Sequence, residues 1–227
     1  MGEGEGVTQG VTLLVVSPHL DDAVFACAGL IGERAGSAVV TVFAGVPEDP
    51  APVTEWDEGC GFASSREAML ARRHEDVQAL AVLGARPVWL DFFDAQYSRP
   101  TQVGKIELAL LEQVERQRPR VLALPLGLFH SDHILASVAA LTLVDEEREW
   151  LVYEDALYRR IPGASDARLG ELQRRGFRLS PCRAKAPADK KSRAVECYAS
   201  QLRGLATPGR PGHADLEAPE RYWKVAR

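Results

Sequence analysis

The sequence predicts an α/β fold in which helices cover both faces of a mostly parallel sheet. Short apolar runs rich in β-branched residues alternate along the chain with longer segments of helical apolar spacing, and this alternation is typical of βαβ units. The runs are nearly continuous in apolar residues, as in strands that are buried on both faces. The length of 227 residues suits a single domain. Together these observations predict a Rossmann-like three-layer sandwich.

Five apolar runs predict the main strands, and a weaker run predicts a sixth. The first run ends at Ser17-Pro18, because a proline has no N–H for the ladder of a central strand. The predicted strands are residues 11–16, 38–44, 87–92, 121–124, 150–153 and 177–181.

Six intervening segments predict helices. Ser64 or Ser65 can cap the second helix and Gly84 ends it, whereas Pro119 ends the third. The predicted helices are residues 22–34, 64–83, 103–118, 131–144, 166–175 and 188–202.

The remaining segments predict the domain organisation. Residues 1–10 are rich in Gly and Glu, which predicts a disordered N-terminus without the apolar segment of a signal peptide. Residues 45–61 predict a loop, and residues 204–215 a mobile loop. Residues 11–203 therefore form the predicted functional domain, and residues 204–227 a small C-terminal extension that packs on it.

Composition and charge exclude several classes of partner. The net charge is −5 and no stretch concentrates Lys and Arg, which argues against nucleic acid as a partner. The sequence contains no run of about 18 apolar residues, so it predicts no membrane span. The four cysteines lack C-x-x-C spacing, so we interpret them as buried side chains or free thiols, which favours a reducing, cytoplasmic location. The sequence leaves the oligomeric state open, and a homo-oligomer is compatible with it.

Two polar clusters follow strands that we expect to be neighbours. With the common strand order 3-2-1-4-5, the first and fourth strands flank the switch point, where ligands bind beyond the carboxyl ends of the strands. Three of the five histidines fall in the two loops that follow these strands. The clusters are Ser17-Pro18-His19-Leu20-Asp21-Asp22 and His130-Ser131-Asp132-His133.

The residue types in these clusters predict a metal site. Catalytic zinc commonly takes three His, Asp or Glu ligands and leaves a fourth position for water. His19 and Asp22 are three residues apart, close enough to hold one ion from a turn that enters a helix. His130 and His133 are both candidates for the third ligand. The same donors suit Fe²⁺ or another divalent ion.

The neighbouring acids predict the chemistry. A bound cation lowers the pKa of its water, and Asp21, next to Asp22, could take the proton from that water as general base. Asp132 is suited to holding a neighbouring imidazole in one tautomer. N-capping of the following helix is an alternative explanation for one of the Asp21-Asp22 pair.

The chain resembles the PIG-L/LmbE family of metal-dependent N-deacetylases. That family has a P-H-x-D-D motif after its first strand and an H-x-D-H motif after a later one, and both stand in the clusters above. Supporting similarities extend over about residues 11–203. They are Arg72-Arg73-His74-Glu75 before Leu83-Gly84, Asp91-Phe92-Phe93-Asp94 after the third strand, and Tyr198-Ala199-Ser200-Gln201.

The resemblance implies a role for each site residue. His19, Asp22 and His133 would be the zinc ligands and Asp21 the general base. His130 would stabilise the oxyanion or protonate the leaving amine. Three further expectations follow: Asp132 would orient His130, Arg72 and Asp94 would contact a sugar, and Tyr153 and Glu154, at the end of the fifth strand, would contact substrate.

The resemblance also implies the substrate. Members of the family act on N-acetylglucosaminyl conjugates, so we expect a small-molecule amino sugar conjugate that loses its acetyl group to a metal-activated water. An alternative is metal-dependent hydrolysis of a non-sugar amide or ester. A nucleotide-binding oxidoreductase is disfavoured, because the turn after the first strand lacks G-x-G-x-x-G, and Asp21 argues against a purely binding protein. Trp56 is interpreted as either a lid over the sugar or an anchor into the core.

Overall fold

The computed structural model describes residues 10–48, 53–97, 101–183, 188–210 and 212–227. Within these residues seven strands form one sheet in the order β3-β2-β1-β4-β5-β7-β6. The first five are parallel, and β7 runs antiparallel between β5 and β6. The strands are β1 Leu13–Ser17, β2 Ala38–Thr41, β3 Arg86–Trp89, β4 Val121–Pro125, β5 Glu149–Tyr153, β6 Arg178–Cys182 and β7 Tyr222–Ala226.

Helices lie on both faces of this sheet. Two short 3₁₀ turns, Tyr158–Arg160 and Ala214–Glu217, accompany the α-helices. The α-helices of the described residues are α1 Asp22–Gly32, α2 Glu55–Gly59, α3 Ser65–Leu83, α4 Val103–Gln117, α5 Ser131–Leu141, α6 Ala164–Arg174, α7 Ala188–Glu196 and α8 Ala199–Leu205. The predicted α/β sandwich and the predicted order of its first five strands are confirmed.

The alternation of side chains along β1 makes the sheet a shared wall between two cores. Leu14 and Val16 face a core that includes side chains of α4 and α5. Leu13 and Val15 face the opposite core, which α1 and α3 line. All four are at most 2% exposed, and burial of each such side chain contributes roughly 1.5–3 kcal/mol.

Several predicted boundaries shift for local reasons. Residues 45–61 are not only loop, because Thr54 accepts a hydrogen bond from the Asp57 amide at 3.1 Å and caps the short helix α2. The predicted helix 188–202 is two helices, since the chain turns at Tyr198, which precedes α8 with non-helical backbone angles. Prediction of the second helix was accurate: Ser64 caps α3 and Gly84 ends it with a positive φ of 71°.

The C-terminal segment contains a strand that the sequence analysis missed. Polar Lys224 interrupts its short apolar pattern, yet β7 pairs with β5 on one side and β6 on the other. Trp150 of β5 and Trp223 of β7 are buried, as expected for packing residues. The predicted disorder of residues 1–10 falls almost entirely outside the described residues. Among the described residues, none of the helices combines the length and apolar character that a bilayer crossing requires.

Candidate active site and metal centre

The two predicted clusters meet at the carboxyl edge of the sheet, because β1 and β4 are adjacent parallel strands. Local hydrogen bonds shape the loop after β1. The Ser17 hydroxyl donates to His19 O and accepts from the Ala23 amide at 3.0 Å. The Asp22 carboxylate accepts from the His19 amide at 2.8 Å. These contacts turn His19 and Asp22 toward the same point above β1.

Three potential ligand atoms converge at this point. Asp22 Oδ2 lies 3.2 Å from His19 Nδ1 and 3.2 Å from His133 Nε2. One ligand atom from each of the three residues lies within 4.8 Å of the others. The geometry thus brings together the three residues that the sequence resemblance names as ligands. A second set, His19, His130 and Asp132, meets the same distance limit and shares His19 with the first.

Each of the two imidazoles has a carboxylate on its outer nitrogen. His19 Nε2 is 3.1 Å from Asp132 Oδ2, and His133 Nδ1 is 2.6 Å from Asp155 Oδ1. The other oxygen of Asp155 accepts from the amides of Gly127 and Leu128 at 2.8 and 3.1 Å. A carboxylate on the outer N–H fixes the tautomer of a metal-binding histidine and raises its basicity.

This arrangement fits a bound cation. In the neutral tautomers that Asp132 and Asp155 select, His19 and His133 direct their inner lone pairs at the Asp22 carboxylate. Lone pairs and an anion that face each other at 3.2 Å repel unless a cation or added protons lie between them. Burial lowers the pKa of His133, but the charges of Asp22 and Asp155 outweigh it and raise the pKa to about 9.

Asp21 lines the same cavity and is free of the capping role that we considered for it. It stands at the N-cap position of α1, but its side chain makes no cap hydrogen bond; the Ser17 hydroxyl serves the first turn instead. Burial, and secondarily the charge of Asp22, raise the pKa of Asp21 to about 7. A carboxyl group with a pKa near the working pH is suited to general acid–base catalysis.

His130 is held by the backbone of the motif. Its Nδ1 accepts from the Asp132 amide at 3.2 Å, which places the proton of a neutral ring on Nε2. The Asp132 carboxylate contacts His19, whereas the predicted support of His130 by Asp132 comes from the backbone amide. Tyr158 stacks on the His130 ring with 6.2 Å between centroids. Burial, then the charges of His19 and His133, lower the pKa of His130 and favour the neutral donor.

Arg72 and Asp94, the predicted sugar contacts, both line the cavity. The Arg72 guanidinium pairs with the buried Asp57 and also donates to the Tyr97 hydroxyl at 3.0 Å. The Asp94 carboxylate lies 3.7 Å from His19 Nε2. Asp57 comes from the acidic segment after β2, in which the sequence analysis considered only Trp56 as a residue near the site.

Tyr153 and Glu154 do not line the cavity. Tyr153 is fully buried and donates its hydroxyl hydrogen to Val16 O at 2.8 Å. Glu154 is 1% exposed and accepts from Ser165 and Arg221. These contacts favour a role in holding β5 in place over contact with a substrate. The next residue, Asp155, is the one whose side chain reaches the metal centre.

The cavity above these residues has a volume of about 720 Å³. Its floor carries the histidines and carboxylates, and part of its wall is apolar. Phe129 is 72% exposed and takes a positive φ of 58°; its ring lies 5.6 Å from that of Tyr158. Leu157, also on the wall, has a φ of 68°. Trp56 lines the cavity and also packs against the core on the α1 side of the sheet. Its position is therefore compatible with both interpretations, the lid and the anchor.

A family model described as PIG-L: GlcNAc-PI de-N-acetylase matches residues 14–144, more than half of the chain. The chain belongs to the PIG-L family. This match spans both motifs of the metal centre and every strand from β1 to β4. With the deacetylases of similar structure that follow, it identifies the chain as an enzyme of the N-deacetylase class.

Solved structures resemble the chain over nearly its whole length. A triple-mutant deacetylase of the teicoplanin biosynthetic pathway is 27% identical with a TM-score of 0.79, and the match covers 96% of this chain and 98% of that one. The zinc-inhibited form of a teicoplanin deacetylase is 24% identical with a TM-score of 0.76, covering 95% and 98%. A Pseudomonas putida 4-carboxy-2-hydroxymuconate hydratase, 16% identical with a TM-score of 0.58 and coverage of 96% of each chain, shares the fold alone. No curated protein sequence is similar enough to count as a relative.

Proposed function

We propose that this PIG-L protein is a cation-dependent hydrolase that removes the acetyl group from an N-acetylglucosamine-type conjugate. The observation that carries the proposal is the pair of imidazoles aimed at Asp22 Oδ2 from 3.2 Å, each with a carboxylate on its outer nitrogen. A binding site for the sugar alone would not need this arrangement. It supports a cation held by His19, Asp22 and His133.

The cation in this proposal is Zn²⁺, although Fe²⁺ suits the same donors. When bound, such a cation supplies Lewis-acid chemistry, which polarises an amide carbonyl and makes a water more acidic. The residues of the chain supply the rest. Asp132 and Asp155 hold the ligand imidazoles in their metal-binding tautomers.

Asp21 is the proposed general base. Its pKa near 7 leaves a large ionised fraction at neutral pH, so it can take a proton from the water that attacks the amide carbon. The same carboxyl group can then give that proton to the amine as the C–N bond breaks, which returns it to its starting state. This assignment uses the freedom of the Asp21 side chain from helix capping.

His130 is the proposed donor to the oxygen that becomes negative. Its Nδ1 is occupied by the Asp132 amide, so the neutral ring presents an N–H at Nε2. A donor that is already oriented costs no reorganisation as charge develops on the substrate oxygen. The lowered pKa of His130 favours this role over protonation of the amine.

The proposed substrate is an amino sugar with an apolar aglycone. Arg72, Asp94 and Gln96 line one part of the cavity and offer the charged and amide groups that bind sugar hydroxyls. Phe129, Tyr158 and Ile161 line another part, which is apolar. Cavities with a few placed polar groups and apolar walls are typical of ligand sites. The alternative is a non-sugar amide or ester.

The test is release of acetate from matched acetylated compounds, with primary amine measured as the second product of the amides. The panel holds the methyl and phenyl glycosides of N-acetylglucosamine, a non-sugar acetamide, and the corresponding acetate ester, each with and without a chelator. We expect amine from the two glycosides, loss of activity with chelator, and recovery on adding Zn²⁺ or Fe²⁺. Turnover of only the acetamide or the ester would replace the sugar assignment. Activity that persists in chelator would overturn the cation dependence.

Replacing Phe129 by Ala tests the apolar wall. Contact between two aromatic rings contributes about 0.5–1.5 kcal/mol beyond the area that it buries, so Phe129→Ala should lower kcat/KM for the phenyl glycoside about tenfold. The methyl glycoside has no aromatic ring to pack on the wall and serves as the internal control. Initial rates with both glycosides measure the ratio; an equal loss for the two compounds would place Phe129 outside aglycone recognition.

A further inference from the structure

The Asp76 carboxyl group is completely buried in the middle of α3 and takes no part in the chemistry above. It is 0% exposed. Its Oδ2 accepts from the Trp89 indole nitrogen at 2.8 Å, and its Oδ1 lies 2.8 Å from the Tyr198 hydroxyl. A buried carboxyl group without a basic partner costs free energy when it is ionised, so its presence here calls for a reason.

The Tyr198 hydroxyl lies between two oxygen atoms. It is 2.7 Å from the carbonyl oxygen of Leu20 and 2.8 Å from Asp76 Oδ1. A phenolic hydroxyl has one hydrogen to donate, and a carbonyl oxygen has none. Both contacts are hydrogen bonds only if Tyr198 donates to Leu20 and Asp76 donates to Tyr198. An ionised Asp76 would leave two electron-rich oxygens in contact at one of these distances.

The surroundings of Asp76 keep it uncharged. The groups that act on it are Trp89 of β3 and Tyr198 at the start of α8, and burial outweighs their hydrogen bonds and raises the pKa of Asp76 to about 7. From α1, the apolar ring of Phe25 packs on Tyr198. Nearby charged side chains on α3 have other partners: Arg72 pairs with Asp57, Arg73 donates to Ala44 O, and Glu75 accepts from Ser200. On α7, which packs against α3, Lys191 pairs with Glu220, and Arg193 and Glu196 are exposed.

Asp76, Tyr198 and the Leu20 carbonyl form a chain of hydrogen bonds, and this carbonyl belongs to the loop that carries Asp21. Leu20 lies between His19 and Asp21, and its C=O is part of the peptide group that carries the Asp21 amide. A hydrogen bond to this carbonyl fixes the plane of that peptide group. It thereby fixes the direction in which the Asp21 side chain extends from the backbone. Tyr198 is fully buried and reaches the loop from 178 residues away in sequence.

We propose that Asp76 is a neutral acid in the folded protein and acts as a positioning residue, holding the Leu20–Asp21 peptide through Tyr198. The hydrogen-bond chain runs from Asp76 to Tyr198 to Leu20 O, with Trp89 donating to the other oxygen of Asp76. The effect on turnover rests on the proposed function, because it requires Asp21 to be the base. The protonation state of Asp76 does not depend on the proposed function.

Three variants separate this proposal from a general packing role. Asp76→Asn keeps one acceptor for Trp89 and one N–H donor for Tyr198, so we expect kcat within about threefold of the wild type. Asp76→Leu fills a similar volume without a donor, and Tyr198→Phe removes the hydroxyl. Both should lower kcat about tenfold with KM little changed, because a displaced base slows chemistry more than binding. Rates with the phenyl glycoside give these values.

The protonation state is measured without substrate. A carboxyl group whose pKa is 3.8 when unfolded and about 7 when folded stabilises the folded protein most fully below the unfolded pKa, and this stability is lost as the pH rises through the folded pKa. The melting temperature of Asp76→Asn minus that of the wild type should therefore increase between about pH 5 and about pH 8.5. Subtracting the wild-type curve cancels the titration of every other group.

The outcomes are distinct. A constant difference in melting temperature, or an Asp76→Asn variant as slow as Asp76→Leu, shows that the ionised carboxylate is the native form and overturns the proposal. A folded Tyr198→Phe with wild-type kcat overturns the positioning of the loop. If no panel compound is turned over by the wild type, the proposed function fails, while the pH-dependent melting still tests the neutral acid.

Discussion

Asn in place of Asp21 should lower kcat by about 10²–10⁴-fold, the usual contribution of a general acid–base group, while the protein keeps its cation. The amide has nearly the volume of the carboxyl group but cannot accept a proton at neutral pH. Asp21 is outside the proposed ligand set, so the cation content should change little, and its side chain does not cap α1, so the variant should remain folded. Amine-release kinetics together with metal analysis of the purified variant measure both effects.

Asp166 provides a matched control for this substitution. It lies exposed in the first turn of α6, the same kind of position at a helix start but outside the cavity. Asp166→Asn should have wild-type kinetics. Full activity of Asp21→Asn would require another base, whereas loss of the cation from this variant would make Asp21 a ligand.

Asn in place of Asp155 should lower the affinity for the cation about 10–100-fold, the range found for carboxylates that support metal-binding histidines. The amide oxygen can still accept from Gly127 and Leu128. The amide nitrogen then faces His133 Nδ1 and donates to it, which moves the ring proton to Nε2. That nitrogen lies 3.2 Å from Asp22 and loses the lone pair that would bind the cation. Competition with a fluorescent chelator measures the affinity, and activity should recover as cation is added.

Glu154 is the control, because it is the adjacent residue and also a buried carboxylate. It pairs with Arg221 and Ser165 at the far side of the strand end. Glu154→Gln should keep the wild-type cation affinity and KM. If both variants lose cation equally, the loss reflects a disturbed β5 and not the tautomer of His133. A raised KM for Glu154→Gln alone would restore the predicted contact between Glu154 and substrate.

Much of the centre could be predicted because it depends on short-range sequence. His19, Asp21 and Asp22 lie within one turn after a buried strand, and His130 and His133 lie together after another. Once the strand order is known, the two groups must meet, since adjacent parallel strands end at the same edge. Strand β5 also ends at this edge, so the segment that follows it starts there. Which of its two carboxylates, Glu154 or Asp155, turns toward His133 depends on the backbone path after Tyr153, which no periodic pattern encodes.

The hydrogen-bond and ion-pair partners of the predicted site residues could not be predicted from the sequence. Arg72 pairs with Asp57 from a segment that the sequence shows as an irregular acidic loop. Asp132 turns its carboxylate to His19, 113 residues away, and only its amide to the adjacent His130. Strand β7 inserts between β5 and β6, although nothing in its short pattern indicates which strands it joins.

The sequence by itself determined the parallel sheet, the two clusters and the residue types that can hold a cation beside a free acid. Those properties follow from the local pattern of apolar residues and from the chemistry of side chains a few positions apart. The tertiary structure decided which carboxylate contacts the outer nitrogen of each imidazole, the choice of Asp155 over Glu154, and the contacts from Asp76 through Tyr198 to Leu20. Each of these depends on a hydrogen bond between segments distant in sequence, and such a bond requires atoms within about 3 Å, which only the packed fold can place.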